Sequence, residues 1–368
     1  MTRPVRARID LQALAHNFSL ARDAAPRSRI MAVIKANAYG HGAVAAARAL
    51  TDADAFAVAS VEEAVQLREA GVSASIVLLE GIFEPEELAT VSAHRLQMVV
   101  HTEEQVRWLE EARSGPALCL WLKINTGMNR LGFAPEDAPG VWQRLQRLPC
   151  IDRGCMRWMS HLSCADECDN PVTSQQLHRF TGAVQNEVGE RSLANSAALL
   201  TRPDTHLDWV RPGIMLYGAS PVEPECKLSA ALRPAMTFES RLIAVHRHGK
   251  GDPIGYGQSW TCPEDMTVGV VAAGYADGYP RHAPNGTPVL VNGRHAALVG
   301  RVSMDMLCVD LRGQRRARAG DPVVLWGEGL PVETVAAHAG TISYELLCGV
   351  GVRVPRVYQY DLRRPAKP

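Results

Sequence analysis

The sequence predicts an α/β fold in which a (β/α)8 barrel is followed by a mainly β domain. Eight short apolar runs alternate with segments of helical periodicity in the first part of the 368-residue chain, which is the pattern of such a barrel. After about residue 230 the runs become β-rich and are separated by Gly and Pro turns. Hydrophobic residues make up 46% of the chain, enough to form a core in each domain.

The predicted barrel occupies residues 1–230. Its eight apolar runs lie at 30–34, 55–59, 76–79, 96–100, 118–124, 157–160, 193–194 and 207–210. Helical periodicity between the runs is clear at 61–70, 103–112 and 174–188. A doubly wound sheet gives the same alternation, but only a barrel makes the first and eighth strands neighbours.

Polar residues follow the ends of four of these runs. Lys35 follows the first run, His161 the sixth, Ser196 the seventh and Arg211 the eighth. Barrel enzymes place their chemistry at the carboxyl ends of the strands, which all lie on one face. We therefore expect these four side chains to converge on one site.

The predicted second domain occupies residues 231–368. Its strands are expected at 236–246, 266–274, 288–291, 296–299, 306–311 and 323–326, with one helix at 332–339. Asn292-Gly293 is a typical hairpin turn. The opening run at 6–9 pairs either with the barrel or with this second domain.

The composition argues against several classes of function. Lys plus Arg equals Asp plus Glu at 39 each, so the net charge is zero, and no basic excess indicates a nucleic-acid partner. No apolar run is long enough to span a bilayer. The basic residues at the amino terminus are not followed by an apolar segment, so we expect no signal peptide and a cytoplasmic protein.

The cysteines predict neither a disulfide framework nor a metal site. There are nine, an odd number without a repeating spacing, which favours reduced thiols in a cytoplasm. Cys164 and Cys168 lie near His161 and Asp166 in the sequence. No C-x2-C pair or second ligand cluster accompanies them, so we predict no bound metal.

Lys35 is the first candidate for chemistry. It stands at the end of a buried strand, and burial of a lysine favours its neutral, nucleophilic form. Such a lysine can form a Schiff base with an aldehyde, of which pyridoxal phosphate is the common one. The alternative is a structural lysine that keeps its ammonium group in water.

Arg211-Pro212-Gly213 is the second candidate, just past the eighth run. Backbone N–H groups of Gly213 and Ile214 are suited to bind a phosphate, and Ser196 adds a hydroxyl from the neighbouring loop. Taken alone, the same residues form an ordinary turn.

Several segments together resemble bacterial alanine racemases. Residues 32–42, with Lys35 and Tyr39, resemble the pyridoxal-lysine motif of that family, and residues 123–133 resemble its Lys…Thr-Gly-Met-x-Arg-Leu-Gly block. Three later segments, 255–257, 273–281 and 300–305, match the second domain of the family in the same order. The resemblance extends over nearly the whole chain and implies a barrel followed by a β domain, with pyridoxal 5'-phosphate as the cofactor.

The resemblance also implies roles for individual residues. It assigns the cofactor phosphate to Tyr39, Ser196, Gly213, Ile214 and Tyr344.

Other positions of the motifs concern the rest of the cofactor and the substrate. By the same resemblance, Arg211 faces the pyridine nitrogen and is supported by His161. Arg130 is assigned to the phenolic oxygen of the cofactor and to the substrate carboxylate. Lys123 matches a lysine that is often carbamylated in the family, and an anion there would orient Arg130.

The implied reaction uses two bases on a pyridoxal phosphate aldimine. Lys35 serves the D face of alanine, and Tyr256 serves the L face from the partner subunit of a homodimer. Met304, also from the partner, contacts the substrate. The family therefore predicts interconversion of L- and D-alanine by a shared active site.

Three alternatives remain at this stage. A racemase of broader or serine specificity would use the same residues. A non-catalytic pyridoxal-phosphate-binding barrel would lack the second domain with Tyr256 and Met304. A decarboxylase of the same fold would place an acidic residue near the pyridine nitrogen, where this chain has Arg211. The sequence does not distinguish a biosynthetic from a catabolic role.

Overall fold

The computed structural model describes residues 3–112, 117–222 and 226–359. A first strand, β1 (Arg6–Asp10), precedes eight parallel strands that close into a barrel in chain order. The barrel strands β2 to β9 are Arg29–Val33, Ala55–Val58, Ser75–Leu78, Gln97–Val100, Cys119–Lys123, Arg157–Met159, Glu190–Ser192 and Trp209–Val210. The ring closes where β2 pairs with β9, with Ile30 opposite Val210. The predicted barrel is confirmed.

Helices surround the barrel. They are α1 to α8, at Leu11–Ala24, Ala43–Ala49, Val61–Glu69, Glu87–Ala93, Glu103–Glu111, Ala138–Gln146, Val172–Ala183 and Ser196–Thr201. Several begin at a side-chain cap. Asp10 accepts hydrogen bonds from the N–H groups of Gln12 and Ala13 at 2.9 and 3.0 Å, and Thr102 accepts one from Gln105. Each cap satisfies donors that the first turn of a helix leaves unpaired.

The second part of the chain is mainly β, as predicted. Strands β10 to β18 are Met236–His248, Pro253–Ile254, Trp260–Thr261, Met266–Val271, Pro288–Val291, Arg294–Val299, Leu307–Asp310, Pro322–Trp326 and Arg356–Gln359. Two helices, α9 (Val332–Ala339) and α10 (Ser343–Cys348), lie between the last two strands. Asn292 and Gly293 both have positive φ, as a two-residue hairpin turn between β14 and β15 requires.

The opening strand belongs to the second sheet. β1 pairs antiparallel with β10 and parallel with β18. The sheet order is β13-β16-β15-β14-β17-β10-β1-β18, with a further pairing between β13 and β10. Because α1 follows β1 directly and packs on the barrel, the beginning of the chain joins the two units. The buried Asn17 of α1 donates to Leu216 O and Arg233 O.

Some predicted boundaries differ from the observed ones. The seventh barrel strand was expected at 193–194, but it ends at Ser192 because Asn195 already caps α8 through the N–H of Ala198. The helix predicted at 174–188 ends at Ala183. The strand predicted at 266–274 ends at Val271, since the N–H of Gly274 is turned toward the side chain of Asp277.

The expectation that all cysteines are reduced is wrong for one pair. Cys119, at the amino end of β6, and Cys155, in the turn before β7, form a disulfide, with their Cα atoms 4.9 Å apart. The pairing of adjacent barrel strands brings them together although 36 positions separate them in the sequence. Together with Asp152 they form a group of three potential metal ligands within the described residues, but the disulfide already joins its two sulfurs.

No described helix combines the length and the apolar character that crossing a bilayer requires.

Candidate active site

A cavity of about 560 Å³ opens at the carboxyl ends of the barrel strands. Most of the residues singled out from the sequence line it. They are Lys35, Tyr39, Lys123, Arg130, His161, Ser196, Arg211, Gly213, Ile214 and Tyr344. Tyr256 and Met304 are not among its lining residues. The structure therefore brings together the barrel candidates and Tyr344 of the second domain, and it leaves Tyr256 and Met304 outside.

Lys35 follows β2 at the start of an unusual turn. Residues 36–39 all have φ between 50° and 54°, a left-handed conformation that residues with a Cβ rarely adopt in succession. The carboxylate of Glu63 holds the turn by accepting the N–H of Ala36 at 2.6 Å and that of Ala59 at 2.9 Å. Lys35 is half-buried and lines the cavity, so its amine is presented from a fixed backbone.

Tyr39 is the last residue of this turn, and it packs on a second tyrosine. Its ring stacks on that of Tyr217 with a centroid distance of 4.7 Å. Tyr217 is anchored because its hydroxyl donates to Val33 O at 2.9 Å. Burial, followed by the proximity of Tyr344, raises the pKa of Tyr39 far above its ordinary value. The Tyr39 hydroxyl therefore stays protonated and remains a hydrogen-bond donor.

Hydroxyl and backbone N–H groups meet on the same side of the cavity. Ser196 Oγ accepts the N–H of Gly213 at 2.8 Å, and the N–H of Ile214 has no hydrogen-bond partner within the described chain. A Cβ on Gly213 would lie 2.7 Å from Tyr39 Oη, so only glycine lets these groups approach each other. Tyr344 adds another hydroxyl, whose pKa burial raises to about 12. We name this group, comprising Tyr39, Ser196, Gly213, Ile214 and Tyr344, the donor cradle.

Arg211 lies in the floor of the cavity and is only 4% exposed. Its Nη1 donates to Ser192 Oγ at 2.6 Å and its Nη2 to Ser160 O at 2.6 Å. Burial lowers the pKa of Arg211 to about 10, which still leaves the guanidinium charged at neutral pH. Its Nε makes no hydrogen bond to any described residue, and this donor remains for a ligand.

His161 accepts a hydrogen bond from Arg211. Nη2 of Arg211 lies 3.1 Å from Nδ1 of His161. Arginine has no acceptor to offer, so Nδ1 must be the acceptor and the imidazole proton must be on Nε2. Burial and then the charge of Arg211 keep the pKa of His161 well below its ordinary value. The neutral imidazole therefore fixes the guanidinium without adding a charge.

Lys123 and Arg130 form a second cationic part of the site. Lys123 is the last residue of β6 and is 8% exposed. Burial, then the charges of Arg211 and Arg130, lowers its pKa to about 8. Arg130 is exposed at the rim, on a loop in which Asn125 Oδ1 accepts the N–H groups of Gly127 and Asn129. The cations make this cavity suited to an anionic ligand.

Tyr256 and Met304 lie on the surface of the β domain. Their exposed fractions are 66% and 53%. Met304 lies beside a third exposed residue, Tyr275, because the carbonyls of Ser303 and Met304 accept the N–H groups of Tyr275 and Ala276, each at 3.0 Å. These side chains are available to another molecule and not to the cavity of their own chain.

Several residues that shape the site were missed from the sequence. Ser192 is the last residue of β8, and Ser160 directly follows β7, so the rule that drew attention to His161 would have found both. Glu63 lies three positions after Ser60 and resembles the glutamate of a helix capping box. Its carboxylate accepts the N–H of Ala59, next to Ser60, and also binds the turn after Lys35. The second contact is long-range, and local spacing does not indicate it.

Comparisons with known proteins agree with one another. Sequence models described as "Alanine racemase, N-terminal domain" and "Alanine racemase, C-terminal domain" match residues 9–221 and 235–358. The alanine racemase of Nitrosococcus oceani is 52% identical over 96% of this chain and 99% of its own length. That of Coxiella burnetii is 46% identical over 95% and 97%.

Solved structures give the same result. The biosynthetic alanine racemase of Pseudomonas aeruginosa superposes with a TM-score of 0.94 at 48% identity, and covers 98% of this chain and 100% of its own. The alanine racemase of Acinetobacter baumannii gives a TM-score of 0.91 at 35% identity, covering 97% and 100%. The likeness therefore includes both domains.

Proposed function

The chain belongs to the alanine racemase family and interconverts L- and D-alanine, and we propose that it does so with pyridoxal 5'-phosphate held in the barrel cavity. The observation that carries this proposal is the convergence of a lysine, a buried arginine and the donor cradle on one cavity of about 560 Å³. No specific contact favours a serine-preferring racemase or a non-catalytic pyridoxal-phosphate-binding protein.

The residues present fit this cofactor. A phosphate needs several donors at close approach, and the donor cradle supplies hydroxyls and a free backbone N–H. The bare backbone at Gly213 leaves room that a Cβ would fill, since that atom would lie 2.7 Å from Tyr39 Oη. Lys35 lines the same cavity as this cradle, and its amine could bind the cofactor aldehyde there.

The role we propose for Arg211 follows from its charge. When bound, pyridoxal phosphate acidifies the Cα–H of alanine by withdrawing electrons from Cα. Arg211 stays protonated, with a pKa of about 10, and its free Nε–H would donate to the pyridine nitrogen without giving up a proton. By leaving that nitrogen unprotonated, Arg211 would favour return of the proton to Cα and thus racemisation.

We assign the two proton transfers to Lys35 and Tyr256. Lys35 moves the proton on the D face and Tyr256 on the L face, with Arg130 binding the substrate carboxylate. Tyr256 and Met304 are exposed on the β domain, away from the cavity lining of their own chain. We therefore propose a homodimer in which each cavity receives Tyr256 and Met304 from the partner.

We further propose that Lys123 is carbamylated. With its pKa lowered to about 8, a sizeable fraction of the amine is neutral near physiological pH and can attack CO2. The nitrogen forms a bond to carbon and loses a proton to water, and the resulting anion would orient Arg130. The solved enzyme of P. aeruginosa is described as biosynthetic, and we propose a biosynthetic role for this chain as well. We further propose that it is cytoplasmic and supplies D-alanine for the cell wall.

Mixed dimers test the shared site. Lys35→Ala and Tyr256→Phe chains should each be inactive, because every site lacks one base. After subunit exchange at equal amounts, half the dimers carry one intact site, so about a quarter of wild-type activity should return. Chiral chromatography of reactions started with L-alanine measures the activity that returns.

The control replaces the Tyr256→Phe chain with a chain that carries both substitutions. That mixture contains no intact site and should stay inactive. If exchange is demonstrated and the first mixture also stays inactive, Lys35 and Tyr256 do not act across two chains.

A further inference from the structure

Four charged side chains from distant parts of the chain meet at the surface that carries Met304, and all but Asp277 are partly exposed. They are Arg3, Asp277, Asp305 and Arg353, which we name the charge clamp. Asp277 is completely buried and accepts Arg3 Nη2 and Arg353 Nε, each at 2.8 Å. Asp305 Oδ1 accepts both arginines, each at 2.6 Å. Each arginine therefore bridges the same two carboxylates.

The clamp joins the two backbone segments that present Tyr275 and Met304. Asp277 closes the turn that begins at Tyr275 and also accepts the N–H of Gly274 at 2.9 Å. Asp305 directly follows Met304. Arg3 Nη2 additionally donates to Asp305 O at 3.0 Å and Ala272 O at 3.3 Å. One guanidinium thus contacts both segments.

The exposed side chains need such support. Tyr275 is 40% and Met304 is 53% exposed, so packing does little to fix them. Exposed ion pairs alone contribute little, but here one carboxylate is fully buried. Loss of Arg3 would leave Asp277 with Arg353 Nε and the N–H of Gly274 as donors, so the buried charge would be compensated less well and the groups around it would shift.

We propose that Arg3 is a positioning residue for racemisation, which acts through Asp277 and Asp305 to place Tyr275 and Met304 against the partner's cavity. This proposal rests on the shared site proposed above. Arg3 precedes β1, so replacing it interrupts no helix or strand. Its guanidinium fork contacts the two carboxylates with separate nitrogens in a fixed plane, a geometry that the single ammonium group of a lysine does not reproduce.

Steady-state kinetics with L-alanine give the first test. Arg3→Ala should raise KM about fivefold, with a smaller change in kcat, because an interaction that positions the substrate site is lost. Arg3→Lys should recover only part of the loss. Arg6→Ala is the matched control. Arg6 also ties the start of the chain to the β domain, through Glu239 at 2.6 Å, but contacts neither segment, so its KM should stay within about twofold of wild type.

Mixed dimers give the decisive test. In the Lys35→Ala and Tyr256→Phe mixture, the intact site takes its β-domain residues from the Lys35→Ala chain and its cavity from the other. Arg3→Ala placed on the Lys35→Ala chain should raise KM. The same change on the Tyr256→Phe chain should leave KM unaltered.

The outcomes separate the two proposals. Recovery of activity with equal KM in both arrangements would refute the role of Arg3 while leaving the shared site intact. Equal melting temperatures of the Arg3→Ala and Arg6→Ala proteins, together with the asymmetric KM, would support positioning over general destabilisation. Absence of any recovery would overturn the shared site and, with it, the proposed role of Arg3.

Discussion

Replacing Gly213 with alanine tests the donor cradle directly. The new Cβ would lie 2.7 Å from Tyr39 Oη, whereas ordinary contacts begin at 3.4 Å. The clash is between this Cβ and the Tyr39 hydroxyl. To relieve it, the hydroxyl must retreat by about 0.7 Å, the difference between 3.4 and 2.7 Å.

A retreat of this size would remove the hydrogen bond that we propose between Tyr39 and the cofactor phosphate. A hydrogen bond to a charged group contributes about 1.5–3 kcal/mol, so the Kd for pyridoxal phosphate should rise about 10- to 150-fold. Titration of cofactor-free protein, followed by quenching of tryptophan fluorescence, measures this Kd. Gly140→Ala is the control, because nothing lies within 4 Å of a Cβ at that position.

A double substitution shows whether Tyr39 transmits the effect. In a Tyr39→Phe background the hydroxyl is gone, and the nearest ring atom lies at an ordinary 3.4 Å from the new Cβ. Gly213→Ala should then add little to the Kd. An equal penalty in both backgrounds, or a Kd for Gly213→Ala within twofold of wild type, would refute the role given to Tyr39.

Two further predictions concern stability. Because burial lowers the pKa of Lys123 from 10.5 to about 8, the unfolded chain binds more protons between these values. In CO2-free buffer the free energy of unfolding should therefore rise with pH across this window by about 3 kcal/mol at most. Lys123→Met should flatten this pH dependence. Identical slopes of unfolding free energy against pH in the variant and the wild type would contradict the lowered pKa of Lys123. Reducing the Cys119–Cys155 disulfide, which spans 36 positions, should lower the free energy of unfolding by about 4 kcal/mol. In the Cys119→Ser variant, denaturant titration should show no such loss of stability when a reductant is added. Equal losses in the variant and the wild type would mean that Cys119 and Cys155 do not form a disulfide.

The barrel part of the site could be predicted because it follows from fold geometry. Parallel strands end on one face, so a charged residue after a buried apolar run is expected in the cavity, and Lys35 and Arg211 are there. What the rule did not supply is the support around them. Glu63 holds the turn after Lys35 through a contact with Ala36, 27 positions away in the sequence, which no local pattern encodes.

Other features depended on information that the pattern of residues does not contain. The Cys119–Cys155 disulfide links positions without a recognisable spacing, and their proximity arises only when β6 and β7 pair. The roles that we propose for Tyr256 and Met304 depend on a second chain. A tyrosine flanked by glycines, such as Tyr256, indicates a functional segment. The sequence pattern of one chain does not, however, indicate that this segment contacts a second chain.

The left-handed turn after Lys35 has a consequence for the evolution of this segment. Asn37 and Ala38 do not line the cavity, yet their φ values are 51° and 54°. This conformation costs a residue with a Cβ about 1–2 kcal/mol, and it costs a β-branched residue more. Replacement is therefore restricted by backbone handedness at both positions. If Asn37 and Ala38 are invariant among related proteins, that invariance would reflect the shape of the turn. A ranking of residues by invariance would then overstate the part of these two residues in the chemistry.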